Sequence, residues 1–254
     1  MIKEYYRPKT INEVLILLKE PENIILGGGT YINTRLKSNV NVVDIQDLEL
    51  AFLKKDNDQI IIGSYTTLQD ILLCDFIPEA IIQAITLDAP LNIRNSATLG
   101  GYLVTASGIS ALSTVFLALD ATIQFSPSVK DLSYTEFITT PSMKSGHSLI
   151  TSITIPNNII TFKAISYTPL SRPIICASLS TKLTGKTRLA LGGYGNNPQL
   201  VFDGSIEDDI VSAARSAYLQ AGDEWASSEY RSEMAATLTK RCISDVKSTK
   251  FNKD

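Results

Sequence analysis

The sequence predicts an α+β protein. Two observations carry that reading. Over the first two-thirds of the chain, short apolar strands alternate with short amphipathic helices. Over the last third, three strand-like runs follow one another and two helical stretches come after them. Strands in succession, then helices in succession, specify an antiparallel sheet with helices packed on it. At 254 residues and 44% hydrophobic, the chain has the apolar side chains for a sizeable core.

The elements follow in order. Thr10-Ile11-Asn12-Glu13 reads as a capping box, and Ile11, Val14, Leu15 and Leu18 follow at helical spacing until Pro21 closes the helix. Asn23 to Leu26 reads as a buried strand running into Gly27-Gly28-Gly29-Thr30, with a short helix over 31–37 and a strand over 42–45. After the polar turn Lys54 to Asp58, Ile60-Ile61-Ile62 is a strand and Thr67 to Leu73 a helix. Pro78, at a first helical position, opens 79–87, with Ile81, Ile82 and Ile85 on the apolar side. The stretch 89–101 reads as loop. Ser110 to Leu119 is a helix with Leu112, Val115, Phe116 and Leu119 inward, and strands over 121–126 and 149–155 complete this part. The last third gives strands over 159–167, 174–183 and 187–193, hence a three-stranded antiparallel sheet, then helices over 206–219 and 227–246 and a polar tail. The expected division is 1–55, 56–157 and 158–254.

Composition excludes several functions. Net charge is −3 and no basic run is present, so nucleic acid is not an expected partner. Met1-Ile2-Lys3-Glu4 lacks the apolar region of a signal peptide, and the apolar runs are too short for a membrane span, so a cytoplasmic protein is expected. Cys74, Cys176 and Cys242 are too scattered for a disulfide framework or a metal site, and an iron–sulfur cluster needs about four clustered thiolates. Cys176, inside Ile174-Ile175-Cys176-Ala177, reads as a small buried hydrophobe. The single histidine, His147, reads as a surface loop residue. It supports neither zinc binding nor a catalytic triad. No metal site and no catalytic side chain is expected, so the chemistry would be a cofactor's.

The glycine loops are the candidate binding elements. A strand delivers the chain into Gly27-Gly28-Gly29-Thr30, where glycine allows positive φ and close approach, so that successive amides can converge on an anion. A tight strand-to-helix turn explains the same glycines equally well. The loop is not a P-loop, because no Gly-Lys-Ser/Thr follows. It is not Gly-x-Gly-x-x-Gly either, because Ile32 stands where the third glycine would be. A second loop, Ile93-Arg94-Asn95-Ser96-Ala97-Thr98-Leu99-Gly100-Gly101, brings paired glycines ahead of a further element. The two loops either clamp one diphosphate between them or are unrelated turns. A third loop, Gly192-Gly193-Tyr194-Gly195-Asn196-Asn197-Pro198, reads as a structural bend.

These residues resemble a known family. Leu26 to Thr30, Val43-Asp44-Ile45, Ile62-Gly63-Ser64-Tyr65-Thr66-Thr67-Leu68 and Ile93 to Gly101 recur, in order, in the FAD subunits of molybdenum hydroxylases. Those include xanthine dehydrogenase FAD-binding subunits and the carbon monoxide dehydrogenase medium subunit. The likeness continues through Leu117 to Ala121, Ile153-Thr154-Ile155-Pro156, Ala190 to Gly193, Ser228-Glu229-Tyr230-Arg231 and Met234-Ala235.

The resemblance implies a two-subdomain FAD-binding fold of the vanillyl-alcohol-oxidase/PCMH type and a C-terminal α+β domain. It implies FAD as cofactor. It implies a molybdopterin-binding subunit and a 2Fe-2S subunit as partners, and NAD or another acceptor to receive the electrons. Carried over by position, Ile25, Leu26, Gly27, Gly28, Gly29, Thr30, Tyr31 and Ile32 wrap the diphosphate and ribityl chain. Thr98, Leu99, Gly100, Gly101 and Tyr102 form the second phosphate loop. Ile150 packs near the flavin, and Lys163 takes the place of a flavin-contacting lysine. Two positions depart from the family pattern: Tyr102 replaces an asparagine, and Ala111 replaces the carboxylate that binds the adenosine ribose. Losing one charge-assisted hydrogen bond weakens binding by roughly 1.5–3 kcal/mol, unless Ser110 substitutes. A flavin-free structural or assembly subunit is the alternative, and a stand-alone flavin oxidase or reductase is disfavoured by the lack of an acid–base set.

Overall fold

A computed structural model describes residues 2–31, 40–128, 130–140, 148–168, 171–205 and 209–251. The chain forms two units that interleave in sequence. The first comprises Met1–Asp75, Leu91–Thr105 and Ala121–Ile155; the second comprises Phe76–Pro90, Ala106–Asp120 and Pro156–Asp254.

The first unit holds two sheets. In one, β1 (Ile2–Tyr6) and β2 (Asn23–Leu26) flank β3 (Val40–Asp44), both parallel to it. Helix α1 (Ile11–Leu17) covers this sheet, and its Val14 joins Leu18, Val43, Ile45, Leu48, Leu50 and Leu149 in one apolar cluster. The expected capping box is offset. The Thr10 hydroxyl accepts from the Glu13 amide at 3.3 Å, but the Glu13 carboxylate reaches back to the Lys9 amide rather than to that of Thr10. The second sheet is five-stranded, in the order β4 (Leu53–Asp56), β5 (Gln59–Gly63), β8 (Leu149–Pro156), β6 (Thr122–Ser126), β7 (Leu132–Ser133). Three short helices, α2 (Leu68–Leu72), α4 (Leu91–Arg94) and α5 (Leu99–Thr105), and α7 (Tyr134–Thr139), which carries a full capping box between Ser133 and Glu136, complete the unit.

The structure revises one local expectation here and details another. The stretch 89–101 is not plain loop: α4 lies within it, and the glycines of the second loop fall inside the first turn of α5. The polar run 54–58 is the tip of a hairpin between β4 and β5, with Asn57 at φ 42°. The helix expected over 31–37 lies outside the described residues, apart from Tyr31.

In the second unit, the sheet has four antiparallel strands where three were expected. Its order is β12 (Gln199–Ser205), β11 (Lys186–Gly192), β10 (Ile175–Thr181), β9 (Ile159–Ile165). The missed strand sits at the edge, where only Leu200-Val201-Phe202 marks it in the sequence, and none of its residues is fully buried. Every residue of β10 is buried because helices cover both faces. On one face, Ile175, Ala177 and Leu179 meet Tyr218, Leu238 and Cys242 from α8 (Ile210–Ala217), the turn after it and α9 (Ser228–Phe251). On the other, Cys176 meets Thr114 of α6 (Ala111–Leu119), a helix whose nine residues are all buried. Helix α3 (Glu79–Asp88) packs beside α6; Pro78 is its N-cap rather than its first residue. The last helix extends beyond the expected 227–246.

Candidate functional site

The two glycine loops meet inside the first unit. Strand β2 ends at Leu26, and Gly27 follows at once. A Cβ on Gly27 would lie 2.5 Å from the Thr98 hydroxyl, and a Cβ on Gly28 would lie 1.5 Å from the Ser96 carbonyl oxygen. No side chain other than hydrogen fits there. Gly29 has φ +69°, the left-handed region open to glycine. The second loop is pinned in turn: Leu68 N donates to Ala97 O, Leu99 N to Thr66 O and Gly100 N to Ser64 O. Thr98 is buried and bridges to Thr67.

That pinning leaves donors over. Among the described residues, the amides of Gly28, Gly29, Thr30 and Gly101 have no protein acceptor. The Thr98 hydroxyl stands between the loops, 2.5 Å from the Cβ position of Gly27 and 3.0 Å from that of Gly101. Gly27, Gly28 and Gly29 are half-buried, and Thr30 and Gly101 are exposed, so these groups line a surface rather than a core. Amides without a protein acceptor near a hydroxyl suit an anion, and donors from two loops suit a diphosphate. Two glycine loops that approach too closely for a Cβ at Gly27 or Gly28, with amide donors left over, fit the group that the resemblance implies.

Other expected residues lie elsewhere. Ile25 and Leu26 are half-buried in β2, Tyr31 is half-buried, and Ile32 lies outside the described residues. Tyr102 is half-buried in α5, and Leu99 and Gly100 are buried beneath it. Ile150 is buried on β8, paired opposite Phe125. Lys163 belongs to the second unit, where its ammonium pairs with Asp245 at 2.6 Å.

Position 111 has a structural explanation. Ala111 is fully buried in the first turn of α6, and the Asp88 carboxylate of α3 caps that turn. Asp88 accepts from the Ser110 hydroxyl at 3.0 Å and from the amides of Ala111 and Leu112 at 2.9 and 2.8 Å. The Ser110 hydroxyl also accepts from the Ser113 amide at 3.0 Å. Ser110 is therefore committed to the helix cap and does not stand in for the missing carboxylate. Sequence reasoning gave no role to Ser64, whose hydroxyl is buried beside Gly100. Its place in the Gly63-Ser64 run was visible; its burial was not.

Fold and loops together define an α+β protein in which two glycine loops meet beside amides that have no protein acceptor. Residues 1–158 match the family described as FAD binding domain in molybdopterin dehydrogenase. The chain is 28% identical to the uncharacterized protein YgfM of Escherichia coli K12 over 210 residues, covering 80% of this chain and 79% of that protein. It is 27% identical to the glyceraldehyde dehydrogenase medium chain of Sulfolobus acidocaldarius, covering 95% and 97%. Its fold matches a chain of carbon monoxide dehydrogenase from Hydrogenophaga pseudoflava with a TM-score of 0.80 at 17% identity, over 96% of each. The chain belongs to the FAD-binding domain family of molybdopterin dehydrogenases, and its cofactor is FAD. No helix among the described residues is long and apolar enough to cross a membrane.

Proposed function

We propose that the chain is the electron-transferring FAD subunit of a multi-subunit molybdenum hydroxylase of xanthine dehydrogenase type, working in the cytoplasm with a molybdopterin-binding subunit and a 2Fe-2S subunit. The observation that carries this reading is the meeting of Gly27 and Gly28 with Ser96 and Thr98, which makes one diphosphate cradle out of two loops. When bound, FAD supplies the redox step, taking electrons from the partner's iron–sulfur clusters and giving them to NAD⁺ or another acceptor. The chain itself binds and orients. Gly28, Gly29, Thr30 and Gly101 present amides to the diphosphate, and the Thr98 hydroxyl stands between the loops. Ile150 and Lys163 are assigned to the flavin by resemblance alone. The division at 55 and 157 into two flavin-binding subdomains and a C-terminal domain belongs to the same reading.

The test is to purify the chain with whatever subunits accompany it. Stoichiometric FAD, together with partners carrying molybdopterin and 2Fe-2S clusters, is the expected result. Reoxidation of the substrate-reduced complex by NAD⁺ then identifies the acceptor. A partner-bound sample without molybdopterin or 2Fe-2S subunits would overturn this reading.

A further inference from the structure

We propose that the turn 223–226, with Tyr167 beside it, is a docking site for an arginine-bearing segment of a partner subunit, an inference that rests on the chain's working in a complex. Trp225 is the single tryptophan of the chain, and it is 59% exposed. Its ring packs against that of Tyr167, itself 64% exposed, with centroids 6.3 Å apart and planes 54° from each other. Tyr230, in the first turn of α9, is exposed as well. Large apolar side chains gathered at a surface mark an interaction site, whereas one alone does not.

Both rings are held in place. The Asp223 carboxylate accepts from the amides of Trp225 and Ala226 at 2.9 and 3.1 Å, and Asp223 N donates to Ala226 O at 3.1 Å. Buried Arg231 grips the same carboxylate through its NH2 group. The Tyr167 hydroxyl donates to Trp225 O, which fixes the second ring against the first. A surface already ordered loses little entropy when a partner covers it, and tryptophan and tyrosine are prominent among the side chains that carry binding energy. Charge selects the partner. Glu224 and Glu229 flank Trp225 in the chain and are exposed, and neither has an ion pair among the described residues. Arg231 and Arg215 are committed to Asp223 and Glu233. Exposed aromatic rings with two unmatched carboxylates fit a guanidinium, which stacks on such rings and binds carboxylates.

The experiment reassembles the wild-type chain and two variants with the partner subunits that accompany it and measures the Kd of assembly. Trp225→Ala is expected to raise that Kd roughly tenfold or more. Glu224→Gln with Glu229→Gln is expected to raise it about fivefold at low salt and hardly at all near 1 M, where charges are screened. The glutamate variant is altered only at exposed positions, so its result does not depend on folding. Both variants are expected to keep the FAD uptake and thermal midpoint of the wild-type chain. Treating the partners with phenylglyoxal, which modifies arginine, is expected to cancel the difference between wild type and Trp225→Ala. A Kd for Trp225→Ala within about threefold of wild type overturns the proposal. So does a difference that survives phenylglyoxal, or a loss for Trp225→Ala that the glutamate variant does not share, since either assigns the rings to an apolar partner surface. Self-association of the wild-type chain that Trp225→Ala abolishes assigns them to a second copy and also overturns it. If no molybdopterin or 2Fe-2S subunit accompanies the chain, the proposed function fails, and the docking site with it.

Discussion

Gly28 lies so close to the Ser96 carbonyl that a methyl group on it would stand 1.5 Å from that oxygen. This contact joins the loop after β2 to the loop before α5, so the cradle exists only while both loops keep their present spacing. Gly28→Ala forces backbone away from backbone, with no flexible side chain to yield. Overpacking of this kind is destabilising by about 1–3 kcal/mol, and the displaced loops should lower FAD affinity at least tenfold. Gly29→Ala is the control. Its φ of +69° costs an alanine about 1–2 kcal/mol, but only the Leu26 side chain lies nearby, at 3.5 Å. Flavin titration and urea unfolding should therefore separate the two, with strong loss of binding for Gly28→Ala and a mainly thermodynamic effect for Gly29→Ala.

In the second unit, Arg231 is buried and gives both bonds of its NH2 group to Asp223, at 2.9 and 3.0 Å. It also donates to Ala221 O and stacks over Tyr194. Burial alone would raise the Asp223 carboxyl, but the amides of Trp225 and Ala226 and the Arg231 guanidinium outweigh it and hold Asp223 below the usual carboxylate range. A depressed carboxylate stabilises the folded state above its unfolded pKa of about 3.9, and that stability is lost as pH falls through the folded value. Arg231→Met should destabilise the chain by about 3 kcal/mol in urea at neutral pH and flatten its stability profile below pH 4. Trp225, the single tryptophan, sits two residues from Asp223 and gives the fluorescence readout.

The three thiols should differ sharply in reactivity. Burial pushes Cys176 up to about 12 and Cys242 up to about 11, whereas Cys74 is half-exposed. Thiolate is the reactive form, so neither buried thiol should label in the native chain. Ellman's reagent at pH 8 should titrate one thiol in native protein and three in guanidinium.

The element pattern was legible where periodicity was strong. The strand over 23–26, the helices over 79–88 and 111–119 and the antiparallel run after Pro156 all followed from apolar spacing. The pairing of the two glycine loops was legible as a possibility, because glycine runs report close approach without saying to what. Strand β12 escaped because an edge strand needs few buried residues, and its apolar stretch is only three residues long. The Ser64 hydroxyl escaped for a different reason. A serine after a strand reads as polar surface, and only three-dimensional packing against Gly100 buries it. Asp88 likewise caps a helix that begins 23 residues later in the chain, a pairing that no local signal announces.

Lys163 separates structural from redox roles most cleanly. Its pair with Asp245 is partly exposed, with side chains 38% and 46% accessible, and an ion pair in that setting contributes about 1 kcal/mol at most. Lys163→Met should therefore leave the unfolding midpoint of the flavin-free chain almost unchanged. If this lysine also serves the flavin, its positive charge favours the reduced, anionic form, so removing it should lower the midpoint potential of the bound cofactor. A fall of about 30 mV for a two-electron couple equals about 1.4 kcal/mol. Asp245→Asn frees the ammonium from its partner and should shift the potential the other way if the lysine reaches the flavin. Potentials unchanged in both variants would confine Lys163 to the β9–α9 ion pair and remove it from the flavin site.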